Sequence, residues 1–309
     1  LTNATVNGSL QNIGKLTTTS GNINLLASNN IELLNDIQVG GGGVITINST
    51  SGTVTQGANS DIISAGTDIG ITAANYTMVG GSTIDTNGGN LNVSAGSITI
   101  GGSITSDNGA INFNNILSSF DITVGSVNAG TGDVRIVPVA GTTIDLGFTN
   151  SGTLEITDAT LDNITTTGTL YVGDTNTGNI GIGTVALPST KIVITSGGNI
   201  IDDGITGTTI SASDLTLIAN SVGTSSEPVG VNTSGGSISV DTQSGGTNGN
   251  IYLIQPTGDL LFSSLTFTTD AGSIQTIGLT AASGKIDVDT NTTLSDNLIL
   301  TADNMDIAN

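Results

Sequence analysis

The sequence predicts an all-β fold, a right-handed parallel β-helix that forms a solenoid of about 20–24 residues per coil. Three observations support this prediction. A short motif recurs at that spacing, which is typical of solenoids. Within each copy the aliphatic residues alternate with other residues, as in strands. Glycine is abundant at 45 residues, whereas charged residues are only 9%, so the composition favours a folded protein with many tight turns over a disordered chain.

The recurring motif is a glycine or another turn residue, then any residue, then aliphatic-x-aliphatic. Its copies start at Gly21, Gly43, Thr67, Gly89, Gly109, Gly132, Gly152, Thr190, Ser213, Gly236, Gly249, Gly272 and Asp296. Additional copies at Gly168, Gly178 and Gly284 fall about half a period from their neighbours. These additional copies indicate that more than one face of each coil carries the motif.

Alternation assigns the residues of each motif to opposite sides of a strand. The aliphatic pairs are predicted to face inward: Ile23/Leu25, Ile45/Ile47, Ile69/Ile71, Leu91/Val93, Ile111/Phe113, Val134/Ile136 and Leu154/Ile156. The predicted outward set is Asn24, Thr46, Gly70, Asn92, Asn112, Arg135, Glu155, Tyr171, Thr216, Ser239, Tyr252, Gln275 and Asp287. Three charged residues fall on the outward set, as expected because an unpaired buried charge is costly.

A β-sandwich is the alternative fold, because short strands with regular turns also suit it. A sandwich gives no reason for the sustained period, so the solenoid is favoured. Residues 1–309 are predicted to form a single β-helix segment with loop insertions near 172–190 and 221–235, which are rich in glycine and contain Pro188 and Pro228. Neither end carries an evident cap, so we expect a segment internal to a much longer chain.

The strongly acidic composition excludes several classes of partner. The net charge is −21, from 25 acidic and 4 basic residues. Four basic groups cannot neutralise a phosphate backbone. No nucleic-acid partner is therefore expected. An anionic membrane surface is disfavoured for the same reason. The sequence has no apolar stretch long enough for a membrane-spanning helix, so membrane insertion is not expected either.

The chain contains no histidine and no cysteine. This excludes Ser-His-Asp catalysis, cysteine nucleophiles and disulfides, and zinc sites built on those ligands. Asp202 and Asp203 are the carboxylate pair considered for sugar hydrolysis, but neighbours in a strand point to opposite faces, so a turn is favoured. Arg135 is the only arginine and has just Asp133 beside it, so a lyase site is disfavoured too. No catalytic residue is predicted.

Two kinds of weak ligand contact are expected. Asp174 in "DTNTG", Asp107 in "SDNG", and Asp287 and Asp289 in "DVDTN" place carboxylate oxygens in turns, which suits loosely bound calcium. No other cofactor is expected. Tyr171 and Tyr252 are predicted to project from strands, where their rings are candidates for stacking on carbohydrate.

Four segments carry a family resemblance: "GGNIIDD" (197–203), "ASDLTLIA" (212–219), "SVGTSSEPVGV" (221–231) and "GNIYLIQPTGDLLF" (249–262). They resemble the repeat regions of filamentous-haemagglutinin-like exoproteins, which are very large bacterial surface proteins typically exported by two-partner secretion. The resemblance implies a right-handed β-helix, an extracellular or cell-surface location and a role in adhesion or surface structure. The chain departs from the family in showing no "NPNG"-like segment of an amino-terminal secretion domain.

The leading hypothesis is therefore a non-catalytic structural or adhesive shaft segment of an exported bacterial surface protein, with assembly into a fibre or surface layer. Its expected partners are further β-helix repeats of the same protein, through self-assembly, and a host or matrix receptor of carbohydrate or protein. The alternative is a carbohydrate-active β-helix enzyme, a polysaccharide hydrolase or lyase. Clustered acids in one groove would favour the alternative.

Overall fold

A computed structural model shows that the chain is a β-solenoid of about 13 turns, nearly all β, with parallel sheets and almost no helix. The predicted fold class is confirmed, and the sandwich alternative is wrong. The structure describes residues 3–122, 124–148, 153–202, 204, 207, 209–233, 235–242, 249–269, 274–289, 294 and 296–307. Two compact units contain the chain: unit 1 is Leu1–Val139 with Ala159–Tyr171, and unit 2 is Ala140–Asp158 with Val172–Asn309.

The elements are mostly short strands, numbered in chain order. They begin with β1 Asn3–Val6, β2 Leu10–Asn12, β3 Leu16–Thr18, β4 Ile23–Ala27, β5 Ile31–Leu33, β6 Ile37–Val39, β7 Ile45–Ser49, β8 Thr53–Gln56, β9 Asp61–Ile63, β10 Ile69–Met78, β11 Thr83–Asp85, β12 Leu91–Ile100, β13 Ser103–Thr105, β14 Ile111–Ile116, β15 Ser119–Asp121, β16 Ser126–Asn128 and β17 Val134–Pro138. They continue with β18 Ile144–Leu146, β19 Leu154–Ile156, helix α1 Asp158–Leu161, β20 Ile164–Thr165, β21 Thr169–Val172, β22 Ile180–Ile182, β23 Val185–Thr195, β24 Ile200–Asp202, β25 Ile210–Ile218, β26 Val229–Asn232, β27 Ile238–Asp241, β28 Ile251–Gln255, β29 Leu260–Leu261, a 3₁₀ turn Phe262–Ser264, β30 Leu265–Thr268, β31 Thr276–Val288 and β32 Asn297–Ile307.

In unit 1 each coil contributes strands to three faces. On the first face β1, β4, β7, β10, β12, β14 and β17 pair in succession. On the second face the order is β2, β5, β8, β10, β12 and β15, because β10 and β12 are long enough to serve both faces. The third face is a seven-stranded sheet of β3, β6, β9, β11, β13, β16 and β20. All of these pairs are parallel, and partners on the first face lie 20 to 24 residues apart.

Unit 2 is likewise built from parallel pairs, in three runs. One run joins β23, β25, β27 and β30, and another joins β25, β26, β28, β31 and β32. The third is a four-stranded sheet in the order β19, β18, β22, β24. In these runs the main-chain N–H and C=O groups of each described strand pair with strands of neighbouring coils, as buried backbone requires.

The core is a set of aliphatic ladders. Ile23, Ile45, Ile69, Leu91, Ile111 and Val134 are in register on successive coils and are fully or almost fully buried. All seven predicted inward pairs are buried, which confirms the predicted phase of the strands. The outward set is half-buried or exposed, with one exception.

The exception is Gln275, whose outward assignment is wrong. Gln275 is 1% exposed, whereas the neighbouring Ile274 is 74% exposed. The strand begins only at Thr276, so strand alternation does not apply to the two residues before it. The buried pair of this coil is Ile277 and Leu279.

Buried hydroxyls mark one corner of the coils in unit 1. Ser64, Thr86 and Ser106 are each fully buried, and each donates a hydrogen bond to the carbonyl oxygen three residues later. The Ser64 and Thr86 hydroxyls also lie 3.0 and 3.3 Å from the carbonyl oxygens of Thr86 and Ser106 in the next coil, so each shares its single proton between two acceptors. These bonds satisfy the hydroxyls inside the core, as buried polar groups require.

The stretch between 140 and 168 departs from the predicted repeat. The coil period predicts that the motif at Gly152 stacks on the copy that starts at Gly132. Instead Leu154–Ile156 pairs with β18, only ten residues earlier. In unit 1 the Thr169 N–H is held by Asp133, 36 residues before it, which shows that this coil is longer than the others.

The two predicted loop insertions are shorter than expected. In the first range the loop is confined to 173–179, and β22 and β23 occupy much of the rest. Pro188 lies inside β23 at a point where the register with β25 shifts between Leu187 and Lys191. A bulge accommodates proline, which has no N–H to give to a ladder. In the second range β26 follows a loop at 223–228.

Removing the Tyr76 hydroxyl should destabilise unit 1. This side chain is 1% exposed, and its hydroxyl donates to Gln56 Oε1 over 2.7 Å; burial raises the pKa of Tyr76 far above its usual range. Gln56 in turn donates to the carbonyl oxygens of Ser60 and Thr83. Tyr76→Phe leaves a buried amide oxygen without that donor. The free energy of unfolding, measured by urea titration, should fall by about 1–3 kcal/mol. Tyr252→Phe, at a half-buried outward position, is the control and should change stability by less than about 0.5 kcal/mol.

Candidate functional site

The first face of unit 1 carries an outward row of large polar side chains. Asn92, Asn112 and Arg135 lie in register on three successive strands. Asn112 Nδ2 donates to Asn92 Oδ1 over 3.0 Å. The Arg135 guanidinium lies 3.7 Å from the centre of the Tyr171 ring and forms an ion pair with Asp133 at 3.1 Å. The row therefore combines amide donors, a cation and an aromatic ring on one surface.

Both tyrosines predicted to meet carbohydrate are half-buried, and each ring already has a neighbour on one side. Arg135 covers one face of Tyr171. Tyr252 lies against Gly278 of the paired strand, so closely that a Cβ at Gly278 would be 2.5 Å from the ring carbon Cδ1. Each ring thus packs within the solenoid surface, and a sugar stacking on the covered face would have to displace that neighbour. Carbohydrate contact stays a prediction.

The acidic and amide side chains have a repeated structural role. Many accept a backbone N–H from a residue 20 or more positions away, and we call these residues coil-linking acceptors. In unit 1 they are Asn12, Asn22, Asn30, Asp36, Asp61, Asp68, Asn90, Asn108 and Asp133. In unit 2 they are Asp158, Asn179, Asp214, Asn250, Asp259, Asp289 and Asp296. Nine of the 25 acidic residues thereby satisfy N–H groups between coils.

Two of these acceptors hold both the N–H and the hydroxyl of one serine. Asp214 accepts the Ser237 N–H at 3.0 Å and its Oγ–H at 2.8 Å, and these bonds lower the pKa of Asp214. Asp289 accepts the Ser263 Oγ–H at 2.5 Å and its N–H at 2.9 Å, and these bonds lower the pKa of Asp289. Hydrogen bonding favours the charged carboxylate in both cases.

The four calcium candidates lie in different surroundings. Asp174 closes its own turn by accepting from Asn176 and Thr177, and Asp107 is exposed in a turn with a positive φ of 48°. Asp289 accepts both hydrogen bonds from Ser263.

The fourth candidate, Asp287, forms an ion pair with Lys285 at 3.0 Å, and Lys285 also meets Asp306 at 2.7 Å. Hydrogen bonds to Asp306 and then Asp287 raise the pKa of Lys285 above its usual range. Within the part of the chain that the structure describes, no three acidic, histidine or cysteine residues are grouped to hold a metal ion. Calcium binding stays a prediction.

Among the described residues, the fold places in register a carboxylate pair that the sequence analysis did not consider. Asp202 is half-buried at the end of β24, and Asp203 lies outside the described residues. Asp145 and Glu155 instead lie in register on the neighbouring strands β18 and β19, at the usual strand spacing of about 4.8 Å. Asp145 is only 8% exposed. Sequence reasoning missed this pair because its ten-residue separation is far from the coil period.

An aromatic ring lies close to this pair. Phe148 packs over Gly181, where a Cβ would be 3.0 Å from the ring carbon Cζ and 3.4 Å from Asp145 Oδ1. Gly181 is the register partner of Asp145 on β22. A recess elsewhere in unit 2, bounded by Thr233, Gly236, Gln255 and Leu260, contains Asp259, whose carboxylate accepts the Lys285 N–H.

Comparison with protein-family models, with curated proteins and with solved structures finds no match. The resemblance to filamentous-haemagglutinin-like repeats therefore stays a prediction, compatible with the solenoid fold. Within the described ranges, no helix has the length and apolar character needed to cross a membrane.

Proposed function

We propose that this chain is a non-catalytic shaft segment of an exported bacterial surface protein, which presents an adhesive surface on a rigid support. The observation that carries the proposal is the use of side chains between coils. Inward aliphatics stack into ladders, and outward Asp and Asn oxygens hold the N–H groups of neighbouring coils. A chain whose polar groups are committed to stacking is suited to mechanical support.

The adhesive part of the proposal depends on the outward row of Asn92, Asn112, Arg135 and Tyr171. These groups offer hydrogen-bond donors and acceptors to a polar, uncharged ligand such as a neutral glycan. A net charge of −21 would repel acidic glycans at low ionic strength. The proposed receptor is therefore a neutral host or matrix carbohydrate, or a protein that presents one.

The second candidate function is carbohydrate cleavage, and the specific observation in its favour is the Asp145–Glu155 pair. Retaining glycoside hydrolases place two carboxyl groups about 5–5.5 Å apart, which is near the spacing of neighbouring strands. Such enzymes also need the two groups to flank a bound sugar, with one carboxyl pKa raised. The pair lies on two short neighbouring strands of a four-stranded sheet.

A turnover screen separates the two functions. Purified protein is incubated with a panel of neutral and acidic polysaccharides, and released reducing ends and unsaturated products are measured. The shaft proposal predicts no turnover with the wild type or with Asp145→Asn and Glu155→Gln. Turnover by the wild type that is lost in both variants, while Asp202→Asn keeps it, would contradict the proposal and establish the enzyme.

A further inference from the structure

The coil-linking acceptors are distributed unevenly along the chain. The first coils of unit 1 are linked through amides: Asn12, Asn22 and Asn30 accept the N–H groups of Leu34, Val44 and Thr53 at 2.6, 3.0 and 3.0 Å. We call residues 10–54 the amide-linked segment, although Asp36 also lies in it and accepts over a longer 3.3 Å.

Later coils of unit 2 are linked mainly through carboxylates. Asp214, Asp259, Asp289 and Asp296 accept N–H groups at 2.9–3.1 Å, with Asn250 as the one amide acceptor described between them. Three of these carboxylates also accept a serine or threonine hydroxyl, at 2.5–2.8 Å. We call the described residues of 210–296 the carboxylate-linked segment.

We propose that this difference makes the solenoid acid-sensitive in one segment: below about pH 4 the carboxylate-linked segment opens, while the amide-linked segment stays paired. Protonation converts a carboxylate, which accepts two hydrogen bonds strongly, into an acid that competes as a donor. An amide oxygen has no such transition. This property belongs to the hydrogen bonds and does not depend on the proposed function.

The direction of the pH effect follows from linkage. Because the pKa values of Asp214 and Asp289 are lowered in the folded chain, the stability from their bonds is fully present above the unfolded pKa of about 4. That stability is lost as the pH falls through the folded pKa values. The contribution of these bonds to stability does not change between neutral pH and pH 6, because the two aspartates are ionised there in both the folded and the unfolded chain.

The charges around the two aspartates are few among the described residues. Lys191 lies 4.0 Å from Asp214 on one side, and Ser237 lies on the other. Just before Asp289, strand β31 carries Asp287 and Lys285, and the neighbouring strand β32 carries Asp306. Lys285 pairs with Asp287 and Asp306, so serine donors, not a cation, are the described groups bonded to Asp289.

Pepsin digestion tests the proposal, because pepsin works in the relevant pH range and both segments contain leucine. The protein is digested for short times at pH steps from 4.5 to 2, with an unstructured peptide added to normalise pepsin activity. Mass spectrometry then identifies the first cuts. We expect first cuts within 210–296, at a higher pH than any cut within 10–54. First cuts within the amide-linked segment, or simultaneous cuts in both, would overturn the proposal.

Amide variants provide the matched control. Asp214→Asn and Asp289→Asn together keep an acceptor oxygen at each position but remove its titration, so opening of the segment should shift to lower pH. Asp68→Asn makes the same change in unit 1 and should not change the pH at which residues 210–296 are first cut. A double variant that is cut like the wild type would overturn the proposal. If the double variant does not fold at pH 7, hydrogen exchange of the wild type in the two segments against pH decides the question alone.

Discussion

Gly109→Ala should destabilise unit 1 by about 3 kcal/mol or more, because there is no room for a methyl group between two coils. A Cβ at Gly109 would lie 1.9 Å from the carbonyl oxygen of Gly89 and 2.6 Å from its carbonyl carbon. Both are main-chain atoms of the paired coil, so they cannot move without separating the ladder. The measurement is the free energy of unfolding from urea titration.

Gly70→Ala is the matched control for this substitution. Gly70 lies on the outward side of β10, and a Cβ there would meet no atom within 4 Å. Alanine at such a position should be neutral or stabilise the protein by up to about 1 kcal/mol, since it reduces the entropy of the unfolded chain. Equal losses for Gly109→Ala and Gly70→Ala would contradict the close approach of the coils.

Phe113→Ala should cost about 3–5 kcal/mol, the range for removing a buried aromatic ring. Phe113 is fully buried, is in register with Val93 and Ile136, and packs edge-on against Phe120 with ring centres 5.0 Å apart. Its neighbour on the same strand, Asn112, faces outward, so Asn112→Ala should cost less than about 1 kcal/mol. Comparable losses at both positions would show that the inward and outward sides are wrongly assigned.

The ladders could be predicted from sequence because strand alternation and the coil period agree over many copies. Leu154 and Ile156 show where this reasoning fails. They match the motif and are buried as predicted, yet they pair with β18 and not with the strand one period earlier. A five-residue pattern specifies a strand and its buried side, but the choice of partner depends on the length and path of the intervening chain.

The roles of the acidic residues could not be predicted in the same way. Asp214 belongs to a copy of the motif, but its partner Ser237 lies 23 residues away, and Asp289 binds Ser263, 26 residues earlier. Finding such partners requires the register between coils to the exact residue, because a shift of one position moves a side chain to the other face. The pairing of Asp145 with Glu155 could not be predicted because the two residues are only ten apart, far from the coil period.

Residues one coil apart lie next to each other in register. Since the chain has no cysteine, introduced cysteine pairs test this claim without interference. Asn92 and Asn112 are register partners, and neighbouring strands place Cα atoms about 5 Å apart, within the range for a disulfide. Arg135 is in register with Asn112 on the following strand, which puts it about two strand spacings from Asn92.

The decisive measurement is the yield of intramolecular disulfide after mild oxidation of two double variants, read by mass spectrometry. The stacked solenoid predicts nearly complete linkage in Asn92→Cys/Asn112→Cys and little in Asn92→Cys/Arg135→Cys. Failure of the first pair to link, or equal linkage of both pairs, would contradict the coil register. The buried ladders, the coil-linking acceptors and the proposed function all depend on that register.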